Sequence, residues 1–532
     1  MAKPERYWSK KSPEGATYDV IVIGSGMGGM TTASMLARLG QKVLVLEQHY
    51  VPGGFTHVFS RKGFTWDVGV HAIGEVTEHA MTGRVLSWLS QGELTWSSLG
   101  STYEHFHFPD GMTIDFPDNP GQFRQNLIDA FPDEVDSIDA YLAMVRKVAH
   151  AMKSYYMARI MPSSVGVVAE KLFARQAQKY LTMTTKEVID GITDNPRLRA
   201  VLCGQWGYYG SVPSKSSFAM QALVAKHFMW GGYYPDGGSA EIARTLLKTV
   251  ADNGGWTRIC ADVEEILVED GVAVGVRVNG EELRAPRIVS ACGILSTVER
   301  LLPAPYNQAK WAQETKELDP APAHLCLYLG FEGDIREGGA SGANEWFYDT
   351  WDMETGDWLI DADAPVGESH CLYCSFPSLK DPRHDPGPDE RHTGEVVTFV
   401  PYELFEKWED SRWRKRGDEY DALKKRIHDA MLKQYFKKMP ELEKYLVYSE
   451  LSTPISTHWF CRPMRGSIYG LEPTPERFGN PALRPRSEVK NLFFSGCEVT
   501  TVGVMGAMMG GLLCAAAMEP RGVFNAVREA GA

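Results

Sequence analysis

Three glycines near the start of the chain have the spacing of a dinucleotide-binding turn. Gly24, Gly26 and Gly29 form a Gly-x-Gly-x-x-Gly motif, and the acidic residue Glu47 follows downstream. In such a motif the first glycine permits a tight turn, the second lets the backbone approach a pyrophosphate, and the third lets a helix pack closely on a strand. Free N–H groups at a helix start attract phosphate, and a downstream carboxylate accepts hydrogen bonds from a ribose. The motif therefore predicts a nucleotide site.

The segments around the glycines are the ones that this chemistry requires. Residues 20–23 form a continuous apolar, β-branched run, as expected of a buried parallel strand. Residues 30–39 have the apolar spacing of a helix that stops at Gly40, and 42–46 form a second apolar strand that ends at Glu47. Strand, turn, helix and acid in this order favour a bound ligand over an ordinary strand–turn–helix.

Composition and charge bound the class of protein. The chain has 532 residues and a formal net charge of −13, with 44% hydrophobic and 23% charged residues. This length predicts two or more domains, and the acidic balance gives no basic patch for nucleic acid. Nine cysteines without regular spacing predict reduced thiols in a cytoplasm-like compartment. Cys371 and Cys374 fall on a predicted strand, where residues three apart face opposite sides, which argues against a metal site.

Two segments raise the question of membrane contact. Residues 141–181 hold seven basic side chains and one acid, Glu170, interleaved with apolar residues. A cationic amphipathic stretch of this kind can lie on an anionic bilayer, and a solvated helix face over a core stripe explains it equally well. Residues 499–518 carry no charge but several glycines, so we interpret them as a buried helix whose first turn touches a ligand.

Further motifs occur in a fixed order along the chain. They are Pro52-Gly-Gly54, Phe64-x-x-Asp67-x-Gly69-x-His71, Tyr234-Pro-x-Gly-Gly-Ser239, Phe376-Pro-Ser-Leu-Lys-Asp381-Pro, Arg465-Gly-Ser-Ile-Tyr469-Gly-Leu and Phe494-x-Gly496-x-Glu498-x-x-x-x-Gly503. With the glycine turn, the set resembles the phytoene-desaturase-like flavoproteins over residues 18–518, and within them the retinol saturases (all-trans-retinol 13,14-reductases) and carotenoid cis-trans isomerases. Ser239 is also a predicted N-cap for a helix at 240–251.

The resemblance implies an α/β fold with two kinds of segment. A discontinuous Rossmann-like FAD-binding domain is predicted from 1–83, 235–300 and 480–532. The segments 84–234 and 301–479 are predicted to form an inserted, mixed α+β domain that binds the substrate.

The resemblance also implies non-covalent FAD. The glycine turn would hold the pyrophosphate, Glu47 the adenosine ribose, Val263 the adenine and Glu498 the ribityl chain. The full set of implied cofactor residues is Gly24, Ser25, Gly26, Met27, Gly28, Gly29, Glu47, Gln48, Gly53, Gly54, Phe55, Thr56, Val263, Gly496, Glu498, Val502, Gly503 and Val504. The family often has Gln and Asp where this chain has Cys497 and Glu498. The thiol of Cys497 makes a covalent flavin the less favoured alternative.

The implied activity is an FAD-dependent oxidoreductase acting on CH–CH groups of a long apolar polyene, carotenoid- or retinoid-like. Saturation, desaturation and flavin-assisted cis-trans isomerisation stay open. His71 and Tyr469 are the candidate catalytic residues, with Glu498 as another proton source, and a buried core histidine is the plain alternative for His71. No second nucleotide motif is visible, so NAD(P)H visiting transiently or a quinone is the expected redox partner.

Other functions fit parts of the sequence. An unsaturated fatty-acyl desaturase or isomerase shares the scaffold, a flavin amine oxidase shares the nucleotide fold, and a non-catalytic lipid escort would lack an intact flavin site. A lipid substrate of this kind dissolves poorly in water. We therefore expect a cytoplasmic protein that associates peripherally with a membrane surface and binds no nucleic acid.

Overall fold

The computed structural model describes residues 7–161 and 163–531. The predicted segments 1–83, 84–234 and 480–532 each extend over residues outside these ranges. The strands are β1 (Trp8–Ser9), β2 (Val20–Ile23), β3 (Val43–Leu46), β4 (Val58–Arg61), β5 (Phe64–Asp67), β6 (Trp96–Ser98), β7 (Thr102–His107), β8 (Thr113–Pro117), β9 (Tyr233–Pro235), β10 (Trp256–Arg258), β11 (Val263–Glu269), β12 (Val272–Val278), β13 (Glu281–Arg284), β14 (Arg287–Ser290), β15 (Ala323–Glu332), β16 (Asn344–Tyr348), β17 (Cys371–Ser375), β18 (Arg391–Val400), β19 (Leu446–Ser452) and β20 (Leu492–Phe494).

The α-helices complete the list of elements. They are α1 (Met27–Arg38), α2 (Met81–Leu89), α3 (Pro120–Ala130), α4 (Val135–Arg159), α5 (Ser163–Phe173), α6 (Arg175–Leu181), α7 (Thr185–Asp190), α8 (Pro196–Cys203), α9 (Phe218–His227), α10 (Ala240–Asp252), α11 (Ile294–Ser296), α12 (Lys310–Lys316), α13 (Pro377–Lys380), α14 (Asp418–Lys438), α15 (Pro454–Cys461), α16 (Pro475–Gly479), α17 (Gly503–Met518) and α18 (Pro520–Ala530).

A six-stranded parallel sheet organises one part of the molecule. Its strand order is β1-β10-β3-β2-β14-β20, and each neighbouring pair is parallel. The strands come from three separated stretches of chain. Every residue of β2 and β3 is buried, because helices or a second sheet cover both faces. The predicted α/β class with a discontinuous parallel sheet is confirmed.

Helices α1 and α17 pack closely against each other beside this sheet. A Cβ atom at Gly511 would lie 2.4 Å from the carbonyl oxygen of Gly28, and one at Gly510 would lie 2.0 Å from that of Gly496. The absence of a side chain at Gly511 lets the backbones of α17 and α1 meet, and its absence at Gly510 lets α17 lie against the chain at Gly496, between β20 and α17. The prediction of a buried helix here is confirmed, since most of α17 is buried. Within the described ranges, no helix combines the length and apolar character that a bilayer span requires.

A seven-stranded mixed sheet, in the order β19-β15-β18-β17-β16-β7-β8, forms the second part. Leu372 and Cys374 face the core that contains α14, whereas Cys371 and Tyr373 face the core that contains α8 and α9. The two cysteines therefore lie on opposite faces, as predicted. Among the described residues, no group of His, Cys, Asp or Glu could hold a metal ion.

Ser239 occupies the predicted N-cap position of helix α10, but the capping hydrogen bond expected of its side chain is absent. Its hydroxyl donates instead to Asp67, the last residue of β5, and its amide donates to the same carboxylate at 3.1 Å. A hydrogen bond to a carboxylate is stronger than one between neutral groups. The Ser239 side chain therefore binds Asp67 and does not cap the helix.

Candidate functional site

A cavity of about 500 Å³ lies between the two sheets. At one end it is lined by Ile23, Leu46 and Ala291, which stand at the carboxyl ends of β2, β3 and β14. At the other end it is lined by Trp346, Tyr373, Val397 and Phe399 of the seven-stranded sheet. The carboxyl ends of parallel strands are where open α/β sheets bind ligands, so the cavity joins a nucleotide-type site to an aromatic lobe.

The glycine turn leaves open space in front of helix α1. Gly24 has a φ of +95°, and Gly26, which precedes α1, has φ −63° and ψ 172°. A Cβ at Gly29 would lie 2.1 Å from the carbonyl oxygen of Gly24, whereas a Cβ at Gly26 would meet no atom within 4 Å. Gly29 thus closes the helix onto the turn, and Gly26 faces the cavity. This is a cradle that fits a diphosphate at a helix N-terminus.

Glu47 is held against that turn. Its Oε2 accepts hydrogen bonds from the amide and hydroxyl of Ser25 at 3.0 and 2.6 Å, and its Oε1 accepts from the His49 amide at 2.7 Å. The Ser25 hydroxyl oxygen in turn accepts from the amide of Gly53 at 3.0 Å. This network fixes the carboxylate at the end of β3 beside the cavity, where a ribose diol of a bound nucleotide would be in reach.

Glu498 has a different set of partners. Its Oε2 accepts from the amides of Ile294 and Leu295, at 2.5 and 3.2 Å, so the carboxylate caps the start of α11. Burial raises the pKa of Glu498, and the charge of Arg477 opposes that rise. The side chain lines the cavity while serving the fold. Glu498 therefore has a structural role in addition to the role predicted for it on the ribityl chain.

Most of the predicted cofactor residues line the cavity. They are Gly24, Gly26, Met27, Gly28, Glu47, Gln48, Gly54, Phe55, Thr56, Val263, Gly496, Glu498, Val502, Gly503 and Val504. The other three, Ser25, Gly29 and Gly53, are not among the lining residues, and each supports the turn through the contacts given above. The Cys497 side chain also belongs to the wall, and burial raises the pKa of its thiol to about 11.

Both candidate catalytic side chains reach the cavity. The Tyr469 hydroxyl donates to the carbonyl of Gly207 at 3.1 Å, and burial raises its pKa. Nδ1 of His71 lies 2.9 Å from Oε2 of Glu395, although the two groups are not aligned for a hydrogen bond. Burial, reinforced by the charge of Lys380, lowers the pKa of His71 to about 3, so the imidazole is neutral at physiological pH.

Behind His71 lies a group of charged side chains that the sequence did not predict. We call Asp67, Glu104, Lys380 and Glu395 the buried ionic cluster, because each of them is buried. The Lys380 ammonium donates to the main-chain oxygen of His71 at 2.8 Å, to Ser375 Oγ at 2.7 Å and to Asn344 Oδ1. Asp67 accepts from the Tyr234 hydroxyl and from Ser239. Glu104 accepts from Tyr208 and, at 3.2 Å, from Trp346 Nε1.

Burial sets the protonation of the cluster. It lowers the pKa of Lys380 to about 7 and raises the pKa of Asp67 to about 6 and of Glu104 to about 8. It raises the pKa of Glu395 well above its usual range. Three carboxyl groups share one ammonium, so the cluster holds carboxyl protons at neutral pH.

The sequence carried a partial signal for this cluster. Glu395 is the one acid inside the otherwise uncharged run 392–400, and Lys380 lies inside the 376–381 motif. What the sequence lacked was the strand register: Ser375 on β17 and Tyr328 on β15 are the pairing partners of Glu395, and Asn344 on β16 pairs with Glu104.

Comparisons with known proteins agree with this geometry. The family model of flavin containing amine oxidoreductases matches residues 27–518. All-trans-retinol 13,14-reductase of Danio rerio is 31% identical, over 93% of this chain and 85% of that protein, and prolycopene isomerase of Daucus carota is 25% identical, over 92% and 79%. The solved structure of putrescine oxidase bound to putrescine has a TM-score of 0.61 at 16% identity and covers 95% of this chain and 99% of its own, a likeness of fold.

Proposed function

Because the chain belongs to the family of flavin-containing amine oxidoreductases, we propose that it is an FAD-dependent oxidoreductase that saturates a C=C bond of a long conjugated lipid of the retinoid or carotenoid class. The observation that carries the proposal is the continuous cavity, with a glycine cradle at one end and an aromatic lobe at the other. Reduction is favoured over isomerisation because the 13,14-reductase is 31% identical and the prolycopene isomerase 25%.

The chain's own residues would hold the cofactor at both ends of the polypeptide. The diphosphate would rest on the N-terminus of α1 at Gly26, the ribose on Glu47, and the flavin ring near the start of α17 at Val502–Val504. Bound there, FAD supplies hydride transfer to a carbon–carbon double bond. A helix N-terminus beside the ring stabilises negative charge on its reduced form.

The aromatic lobe would orient the substrate and exclude water. Trp346 and Tyr373 pack with ring centroids 4.5 Å apart, and Tyr208 packs on Trp346 at 5.2 Å. Each buried CH₂ of a lipid contributes about 0.8 kcal/mol to binding, so such walls favour a long apolar ligand. His71 stands at 5.1 Å from the Tyr373 ring, and we propose it as the residue that meets the reacting carbons.

The test is a reaction under anaerobic conditions with photoreduced holoenzyme, which bypasses the natural electron donor, proposed to be NAD(P)H or a quinol. All-trans-retinol, a carotenoid and an unsaturated fatty-acyl lipid are incubated separately, and the lipid extracts are analysed by mass spectrometry. A gain of two mass units in a polyene supports the proposal. A loss of two units with oxidised enzyme would assign desaturation, and a shifted retention time at constant mass would assign isomerisation; either outcome overturns saturation.

The amine oxidase reading is tested in the same preparation. Release of hydrogen peroxide from primary amines or polyamines, with no change in any polyene, would reassign the chain to that activity. The Gly26→Leu variant, which we expect to lack flavin, is the control for product formed without the cofactor.

We also propose that the protein docks on an anionic bilayer to take up its lipid. Helix α5 and the end of α4 present exposed apolar side chains: Met157, Val165, Val168, Leu172 and Phe173, the last two 68% and 74% exposed. Lys153, Lys171 and Arg175 are exposed as well, and each lies within four residues of one of these apolar side chains in the sequence. Tyr156, next to Met157, lines the cavity, so the patch adjoins the route to the site.

One of the basic side chains counted in this segment faces inward. Arg159 is buried and donates to the main-chain oxygens of Leu483 and Phe478. The positive charge of the proposed surface therefore comes from the other basic side chains of this segment.

Liposome sedimentation at low salt tests the docking. The double variant Leu172→Glu, Phe173→Glu is expected to lose binding to anionic vesicles, whereas Leu359→Glu, at a residue 82% exposed elsewhere in the chain, keeps it. Equal sedimentation of both variants would remove this surface from the account.

A further inference from the structure

We propose that Glu395 provides, through His71, the proton that saturation of the substrate requires, with Lys380 as the countercharge for the carboxylate left behind. This inference rests on the proposed function, because a hydride placed on one carbon of a C=C bond must be matched by a proton on the other. It assigns a role to Glu395, which lies in none of the motifs, and to Lys380, which lies inside the 376–381 motif.

The carboxyl of Glu395 is built to hold a proton. It is fully buried in the sheet, and among the described residues no aligned hydrogen bond reaches either of its oxygens. The main-chain amide of Asp67 and the positive charge of Lys380 act against burial, because both lower the pKa of Glu395. A buried carboxylate with so few donors is disfavoured relative to the neutral acid, because its charge is not compensated. The neutral acid is therefore the resting form.

His71 connects this acid to the cavity. Its Nδ1 is buried 2.9 Å from Glu395, while the side chain as a whole retains 16% exposure and lines the cavity. No hydrogen bond to Nε2 is found among the described residues. Lys380 fixes the main chain at this point by donating to the His71 carbonyl. The imidazole thus lies between the acid and the cavity, with Nδ1 next to Glu395 and the opposite edge of the ring toward the substrate.

The transfer balances without charging the imidazole. The Nε2–H bond of neutral His71 breaks and a C–H bond forms on the substrate, with the electron pair of the C=C π bond displaced by the incoming hydride. At the same time the O–H proton of Glu395 moves to Nδ1. The products are a neutral His71 and a Glu395 carboxylate beside the Lys380 ammonium. Between turnovers a solvent proton that enters the cavity binds Nε2 of His71 and the Nδ1 proton returns to Glu395, which restores both groups, and NAD(P)H or a quinol returns two electrons and a proton to the cofactor.

Several other titratable groups face Glu395 and set its behaviour with pH. They are Asp67 at the end of β5, His71 in the segment after β5, Tyr234 on β9, Cys326 and Tyr328 on β15, Tyr373 on β17 and Lys380 on α13. Of these, Lys380 alone brings a positive charge, so its removal favours the protonated acid further.

The test compares Glu395→Gln with Glu345→Gln in the holoenzyme. Glu345 is the matched control, because it pairs with His107 at 2.7 Å on the same sheet but does not line the cavity. Glu395→Gln keeps the volume and cannot release a proton, so kcat for saturation is expected to fall about 10²- to 10⁴-fold at neutral pH with KM and flavin content unchanged. Lys380→Met is expected to move the alkaline limb of the kcat–pH profile to higher pH. Glu345→Gln leaves both unchanged.

An infrared measurement gives a readout that does not depend on turnover. In wild-type-minus-variant difference spectra, the C=O stretching band of a protonated carboxyl is expected for Glu395→Gln and not for Glu345→Gln, because the protonated Glu104 contributes equally to all three spectra and cancels. If the difference spectrum of Glu395→Gln lacks this band, or if that variant keeps the wild-type rate and pH profile, the relay is wrong while the proposed function stands. If the wild-type enzyme adds hydrogen to no polyene, the proposed function fails and takes the relay with it.

Discussion

Two glycines of one motif should respond to substitution in opposite ways. The backbone of Gly26, with φ −63° and ψ 172°, suits any residue, and its added Cβ would meet no protein atom within 4 Å. Gly29 has no such room, because its Cβ would stand 2.1 Å from the Gly24 carbonyl oxygen. We therefore expect Gly26→Leu to fold normally and to lose the cofactor, and Gly29→Ala to lose stability.

The size of both effects follows from the contacts at stake. A side chain in front of α1 would separate the diphosphate from the helix N-terminus, removing up to ~2 kcal/mol of dipole attraction and one or two charge-assisted hydrogen bonds worth about 1.5–3 kcal/mol each. The sum, about 1.5–8 kcal/mol, corresponds to a Kd for FAD raised roughly 10- to 10⁶-fold. Forcing a methyl group into the Gly29 contact is expected to cost about 1–3 kcal/mol of folding free energy or more.

The assays separate binding from folding. FAD affinity is measured by quenching of flavin fluorescence on titration of apoprotein, and stability by the Tm of the same apoprotein. Gly26→Leu should keep the apoprotein Tm of the wild type and show the weakened Kd. Unchanged FAD affinity in Gly26→Leu would refute the placement of the diphosphate, and an apoprotein Tm that falls as far as in Gly29→Ala would refute the reasoning about open space.

Two further predictions concern carboxylates. Glu47→Ala should weaken FAD binding about 10- to 100-fold, the loss of one or two hydrogen bonds to a charged acceptor, and isothermal titration of the apoprotein checks this. Glu104, whose folded pKa of about 8 lies above its ordinary 4.5, stabilises the fold fully below pH 4.5 and loses that contribution as the pH rises to 8. Glu104→Gln should therefore gain stability relative to the wild type over this range, by at most about 1.4 kcal/mol per pH unit, in urea unfolding at several pH values; equal pH dependence in both proteins would contradict the assignment.

The nucleotide end of the site could be predicted because its determinants are local in sequence. The turn at Gly24–Gly29 and the strands before and after it lie within one βαβ unit, and each element has its own apolar pattern. The register of β2, β3 and β14 then follows from parallel pairing, which brings Glu47 to the same sheet edge as the turn.

The buried ionic cluster could not be predicted in the same way. Its four charged residues are Asp67, Glu104, Lys380 and Glu395, and they come from distant parts of the chain. Glu104 and Glu395 are placed by the register of the seven-stranded sheet, whereas Asp67 and Lys380 join them because β5 and α13 pack against β18. Ser239 shows the same limit on a smaller scale. The sequence predicted that its hydroxyl would cap the helix that follows, but the hydroxyl donates to the distant carboxylate of Asp67.

The proposed function requires that electrons pass from the bound flavin to a polyene double bond within this cavity. Anaerobic stopped-flow mixing of photoreduced holoenzyme with all-trans-retinol measures that transfer directly. The account predicts that the absorbance of oxidised flavin returns, with one saturated product formed for each flavin reoxidised. A flavin that stays reduced, whether the retinol is left intact or only isomerised, would contradict it.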